Sequence, residues 1–274
     1  MTAKLTLEPT LHVTDVDPTP IASLPYRTAM GQGRVDRVVL PLVRGQVMGL
    51  PAGVHGLVIA SDLQGRTEDG QLLGIAVADW LVGLCEELGL APDAVGVLLA
   101  GDLYTVPELD RRGGRGDVRG VWRAFADRFR WVAGVLGNHD DLGGQTLAEV
   151  SENGVSLLHA TRVDLDGIGV AGVGGIIGDP AKPNRMDERA FLSAFEALWR
   201  AKASVLVSRE SPAIPERGLI GNVALRGRVD RVGAGCRHRP LLICGHCHWP
   251  EPLTTLPSDV QVLNADGRVI LLTM

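Results

Sequence analysis

Trp131-Val132-Ala133-Gly134-Val135-Leu136-Gly137-Asn138-His139-Asp140 is an apolar run that stops abruptly on three metal-donor side chains. A short continuous apolar run bounded by glycine reads as a buried strand. Asn, His and Asp at its exit offer the oxygen and imidazole donors that hard or borderline divalent cations take. Three further stretches repeat the design. Leu57-Val58-Ile59-Ala60 exits through Ser61-Asp62-Leu63-Gln64-Gly65, Val95 to Ala100 exits through Gly101-Asp102, and Leu241 to Cys244 exits through Gly245-His246-Cys247-His248.

Between these strands the periodicity changes. Gln71 to Leu88 and Val118 to Phe129 carry apolar residues at helical spacing, and a shorter helix is expected from Thr146 to about Glu152. Strand, loop and helix thus recur, with polar residues at strand C-terminal ends, where an open α/β sheet presents its ligand chemistry. The second half is richer in strands, expected at Thr161 to Leu165, Ile168 to Val173, Val205 to Ser208, Leu241 to Cys244, Val260 to Leu263 and Val269 to Leu272. Helices are expected at Asp187 to Lys202 and near Ala224 to Val232. The first fifty residues are rich in Thr, Pro and Gly and read as an N-terminal extension, 1–50, packed on a main domain, 51–274, with one strand near Val38-Val39-Leu40.

The four motifs, in this order, resemble the calcineurin-like metallophosphoesterase superfamily, whose pattern is D-x-H, G-D, G-N-H-D/E, a lone His and G-H-x-H. The resemblance covers roughly residues 55 to 272. It implies an α/β fold, a four-layer sandwich of two facing mixed β-sheets flanked by helices. It also implies a metal-dependent phosphoric ester hydrolase in which metal-bound hydroxide attacks phosphorus in line. Asp102 would bridge two ions, with Asp62, Gln64 and His248 on the first and Asn138, His246 and a residue near 209 on the second. His139 would assist the leaving group, steadied by Asp140. One or two divalent ions are implied, Mn²⁺ first, with Fe, Zn²⁺ or Mg²⁺ as alternatives, since mixed N and O donors suit several.

Two positions depart from the pattern. Gln64 stands where the superfamily has His; its neutral carbonyl oxygen binds borderline cations less well than imidazole does. The dinucleoside polyphosphate hydrolases of the same superfamily often share that D-x-Q-G, so such a substrate is an alternative. Arg209 stands at the lone histidine, within Val205-Leu206-Val207-Ser208-Arg209-Glu210. A guanidinium does not ligate a cation. Either Arg209 faces the site and replaces part of the metal charge while holding phosphoryl oxygens, or Glu210 turns in as a carboxylate ligand; neighbours on an extended strand point oppositely, so one of the two serves. Arg209 is the favoured one. A catalytically degenerate protein that keeps the fold as a binding module is the rival from another class.

Bulk properties agree with a folded enzyme-sized domain. The 274 residues are 45% hydrophobic, with net charge -5 and pI near 5.8, which argues against a nucleic-acid-coating surface and leaves a small phosphorylated substrate, a nucleotide among the candidates. Oligomeric state is open. No window approaches a membrane span, and the N-terminus has no basic segment followed by an apolar one, which points to a cytoplasmic protein. Cys244-Gly245-His246-Cys247 lacks a second cysteine pair and does not read as a zinc or redox motif. Gly172-Val173-Gly174-Gly175-Ile176-Ile177-Gly178 is not a dinucleotide fingerprint and reads as a loop with tight turns.

Overall fold

A computed structural model describes residues 11–31 and 33–274. Two mixed β-sheets face each other, with helices on both outer surfaces. The first sheet holds β1 (His12–Ala29), β2 (Val35–Met48), β3 (Gly56–Ser61), β4 (Val95–Leu99), β6 (Trp131–Gly134), β8 (Val155–Leu157) and β17 (Arg268–Thr273), in the order β1-β2-β17-β3-β4-β6-β8. The second holds β9 (Thr161–Leu165), β10 (Ile168–Val173), β13 (Val205–Ser208), β14 (Leu241–Cys244), β15 (Leu253–Thr255) and β16 (Gln261–Asn264), in the order β15-β16-β14-β13-β10-β9. Two short ladders, β5 (Gly116–Asp117) with β7 (Asp140–Asp141) and β11 (Ile176–Ile177) with β12 (Arg185–Met186), tie loops together at one end of the sandwich.

The layering follows from side-chain alternation along the strands. On β3, Leu57 and Ile59 enter the core between the sheets, while Val58 and Ala60 pack beneath α1 (Leu73–Glu87) and α2 (Arg119–Ala126). On β13, Val205 and Val207 meet the same inter-sheet core, while Leu206 packs under α4 (Glu188–Arg200) and α5 (Val223–Ala234). Strands buried on both faces must be apolar throughout, which is why these runs show no polar alternation. The helices start on side-chain caps where the sequence supplies them: Asp187 accepts from Ala190 N, Asn222 from Leu225 N, and Thr146 with Glu149 closes a capping box at α3 (Leu147–Val150).

One region departs from the reading of the sequence. The part of the expected extension that is described is a long antiparallel hairpin, and β2 continues the first sheet by pairing in parallel with β17. Residues 12–48 therefore contribute two of its seven strands instead of decorating its surface. The N-terminal residues used to argue against a leader lie outside the described residues. Among the described residues no helix is long and apolar enough to cross a membrane.

Candidate functional site

β3, β4 and β6 run parallel in one sheet, β13 and β14 in the other, so the C-terminal ends of five strands converge on one edge of the sandwich. The four sequence motifs lie there. At three of the exits the backbone turns through the left-handed region on non-glycine residues, Asp62 (φ 58°), Asp102 (φ 55°) and His246 (φ 70°). Such conformations are uncommon outside glycine and cluster at functional sites. The glycines beside them are required by close approach. A Cβ on Gly137 would lie 1.9 Å from Asp102 Oδ1, and one on Gly245 would lie 2.1 Å from Ser61 Oγ and 2.8 Å from Arg209 Nη1.

Arg209 is the centre of the arrangement. It follows Val205 and Val207 on the alternation that faces the inter-sheet space, which carries its side chain between the sheets, where it is 1% exposed. Its Nη1 donates to Asp62 Oδ2 at 2.6 Å and to Ser61 Oγ at 3.0 Å; its Nη2 donates to Asp62 Oδ1 at 2.7 Å and Asp102 Oδ2 at 2.6 Å. The fork thus binds Asp62 bidentately and reaches Asp102 with the same nitrogen, a geometry suited to a guanidinium and not to an ammonium. Burial opposes the charge on Arg209, but Asp102 and Asp62 outweigh it and hold its pKa above the ordinary value. Asp62 pays a burial penalty too, which Arg209, Ser61 and the His246 N–H reverse, leaving its carboxyl at about 2.

The guanidinium has the position between Asp62 and Asp102 where the resemblance would put cations. The donors left over do not make a metal site: among the described residues no group of three or more His, Cys, Asp or Glu side chains is placed to hold an ion. The residues present do not fit the expected metal pair.

Each of the other expected site residues has a definite place. Glu210 is buried facing the other way, where its carboxylate accepts from Ile177 N at 3.0 Å; burial raises its pKa, and it does not line the cleft. Its role as a substitute ligand is therefore corrected, for the reason the strand alternation gives. Asp140 does not touch His139. It accepts from the backbone N–H groups of Asp102 (2.9 Å), Leu103 (2.7 Å) and Gly137 (2.7 Å), so it fixes the Gly101-Asp102 turn against the Gly137 turn. Burial and then the nearby Asp102 charge push its pKa up to about 6. His139 is oriented instead by Gly114 O, 2.5 Å from Nδ1. A carbonyl only accepts, so Nδ1 carries the proton and Nε2, 3.9 Å from Asp102 Oδ2, faces the cleft.

His246 Nδ1 receives Arg209 Nη2 at 3.4 Å, so its proton sits on Nε2; burial, then Arg209, hold its pKa below the usual value. His248 lines the same cleft beside Asp266 and Arg268, with its side chain 64% exposed; burial of the ring, then Arg268, lower its pKa. Asn138 Oδ1 and Gln64 Nε2 are buried without a hydrogen-bond partner.

Two residues not singled out in the sequence complete the cleft, whose volume is about 280 Å³. Asp266, 5% exposed, has its pKa pushed up to about 7 by burial and then by Asp62. Its signal was present, an Asp two residues beyond the β16 strand, repeating the pattern of the other four exits. Arg112, from the loop between β4 and β5, donates its Nε to Gln64 Oε1 at 3.2 Å. The adjoining Gly113 lies so close to His139 and Gln64 that a Cβ there would come within 2.6 Å of His139 Nδ1, so the loop covers one side of the cleft.

No protein-family model matches this chain, and no curated protein does. Among solved structures it is similar to the sulfate thiohydrolase SoxB of Thermus thermophilus in complex with glycerol, at 17% identity over 79% of this chain and 52% of that one, TM-score 0.41. It is also similar to GAP50, the anchor in the inner membrane complex of Plasmodium, at 12% identity over 77% of this chain and 71% of that one, TM-score 0.43. The chain spans about half the length of SoxB. At this level of likeness nothing about activity or ligand passes from those proteins to this one.

Proposed function

We propose that this protein binds a phosphorylated small molecule in the cleft above Arg209, on a metallophosphoesterase-like scaffold whose metal pair has been replaced by a fixed guanidinium. The observation that carries this reading is the buried Arg209 joined to both Asp62 and Asp102. A cation built into the chain offsets part of the carboxylate charge at the floor of the cleft, and several donors face the space above it. Arg112 spends only its Nε on a neutral oxygen, Gln64 Nε2 has no partner, and His246 presents an N–H. Phosphoryl oxygens are acceptors only and complement such a set, and the cleft has room for a phosphate with a small attached group.

The test is calorimetric titration with phenyl phosphate in the presence of EDTA. Saturable one-site binding that EDTA does not weaken, and that Arg112→Ala weakens about tenfold, as expected for loss of one charge-assisted hydrogen bond, supports the reading. Binding that requires Mn²⁺ overturns it.

One observation favours a second reading, a divalent-ion-dependent phosphoric ester hydrolase acting on simple esters or on dinucleoside polyphosphates. Asn138 Oδ1 is buried without a partner beside the strained Asp102 and His246 backbones, as an oxygen kept for a ligand would be. Mn²⁺-dependent release of nitrophenol from bis-nitrophenyl phosphate, lost in His139→Ala, would establish that activity.

A further inference from the structure

A second cavity, of about 430 Å³, lies on the other side of the Gly137–Asp140 turn. Leu136, Leu142, Leu147, Leu158 and Met186 give it an apolar wall, and Arg115, Asp140, Asp141, Gln145, His159, Asn184 and Arg185 line the rest. Part of its surface is bare backbone at Gly174 and Gly175, the glycines singled out in the sequence. Gly175 has φ +74°, and a Cβ there would lie 2.3 Å from Asn184 O; a Cβ on Gly174 would lie 3.1 Å from Leu136 O. Both glycines are therefore required by the close approach of the Asn184 and Leu136 backbones. The volume lies in the range of small-molecule sites, which are mostly apolar with a few convergent polar groups.

Among the charged groups at the cavity, Asp140 is committed to backbone N–H groups and Asp141 to Arg115, which leaves Arg185, half-buried there. Several arginines near the surface are held in ion pairs, Arg115 with Asp141 at this same cavity, Arg119 with Asp117 and Arg130 with Asp166 among them. Arg185 has no ion pair among the described residues, although it lines the same cavity as the paired Arg115. Its backbone is held in place by the β11–β12 ladder. An uncommitted guanidinium beside an apolar wall is the recognition chemistry for one planar anion on a hydrophobic body.

We infer that this cavity is a binding site for a small organic carboxylate with a compact aromatic or branched apolar body, the carboxylate on Arg185 and the body against Leu136, Leu158 and Met186. The site is connected to the cleft through one side chain. Asn184, next to Arg185, donates Nδ2 to both Gly137 O and Asp140 O at 2.8 Å, so a ligand that shifts Arg185 bears on the turn that carries Asn138 and His139.

The experiment is calorimetric titration of the full chain with 4-phenylbutyrate and with its neutral counterpart 4-phenylbutan-1-ol. The expected result is one saturable site that prefers the acid by about tenfold, the worth of one charge-assisted contact. Arg185→Gln removes that preference while leaving the alcohol's affinity unchanged. Met186→Trp, which fills the hollow from a half-buried position, abolishes binding of both, whereas Arg112→Ala in the other cleft changes neither. Absence of saturable binding at millimolar ligand, equal affinity for acid and alcohol in the unmodified chain, or binding unmoved by Arg185→Gln would each overturn the inference.

Discussion

Replacing Arg209 by His restores the residue that the metallophosphoesterase pattern has at this position, and two opposite effects follow from the structure. Without a ligand the variant loses the only charge bonded to Asp62 and Asp102, which are 6% and 2% exposed. Asp62 alone, its carboxyl held down at about 2 against an ordinary 3.8, accounts for about 2 kcal/mol. Removing one partner from a buried ion pair costs about 3–5 kcal/mol, because the remaining charges stay desolvated and unpaired. For a chain of this size, at about 2–4 °C per kcal/mol, the melting temperature should fall by about 6–20 °C. The same substitution places an imidazole beside Asp62, Asp102, Asn138 and His246. Mn²⁺ at a hundredfold excess over its dissociation constant should then return about 2.7 kcal/mol, or about 5–10 °C. Thermal and urea unfolding with and without Mn²⁺, together with metal content after gel filtration, measure both effects. The unmodified chain should melt at the same temperature in either buffer and carry no ion. The reasoning is refuted if the unmodified chain retains Mn²⁺ and is stabilised by it, or if the variant unfolds within about 1 kcal/mol of its parent, the scale of an ordinary point substitution.

Further outcomes follow from the same geometry. Asp140 and Asp266 have folded pKa values raised to about 6 and about 7, so between pH 4 and 7 the folded chain binds protons that the unfolded chain does not, and stability should rise as pH falls through that window. Asp62 is depressed to about 2, so its contribution is complete above about pH 4 and is lost as pH falls through 2; a urea-midpoint series should therefore peak near pH 4–5. Asp266→Asn should flatten the upper part of that curve, and a curve that keeps its slope would contradict the assignment. Gly137→Ala, which sets a Cβ 1.9 Å from Asp102 Oδ1, should lower stability by about 3 kcal/mol or more, read as loss of soluble yield or of the urea midpoint. Thr146→Ala removes the capping box of α3 and should cost about 1 kcal/mol while leaving phosphate binding unchanged.

The sandwich and most of its elements were legible because strands buried on both faces are written as apolar runs. Val205–Ser208, Leu241–Cys244 and Ile168–Val173 fall where the sequence places them. The hairpin at 12–48 was legible only in part. The expected strand near Val38-Val39-Leu40 lies within β2, but β1 is largely exposed, carries Pro18, Pro20 and Pro25, and breaks register between Asp17 and Ala22, so neither alternation nor composition marks it as sheet. At the site, the motif residues could be read and their convergence at strand ends expected, but their partners could not. That Asp140 serves backbone N–H groups instead of His139, and that Gly114 O orients the imidazole, depends on loops whose approach no local pattern encodes. The fate of Arg209 was half legible: alternation turned it inward, but its commitment to two carboxylates and not to a phosphate is a matter of distance.

The place of β17 has a consequence for how the chain assembles. Its residues pair Val269 with Leu42 on one side and with Ala60 on the other, so two neighbours in the finished sheet are joined only through a strand made more than about two hundred residues later. As the chain leaves the ribosome, β3, β4 and β6 can associate early, while the hairpin of β1 and β2 has no docking edge until residues 268–273 emerge. Until then Val43 and Val47 lack the wall they face in the finished protein, and the hairpin presents unpaired edge to its surroundings. Synthesis stalled or truncated before residue 268 should therefore leave a sandwich whose first sheet stops at β3, with a loose, association-prone ribbon, which protease digestion of ribosome-bound chains would reveal as selective cutting within residues 12–48.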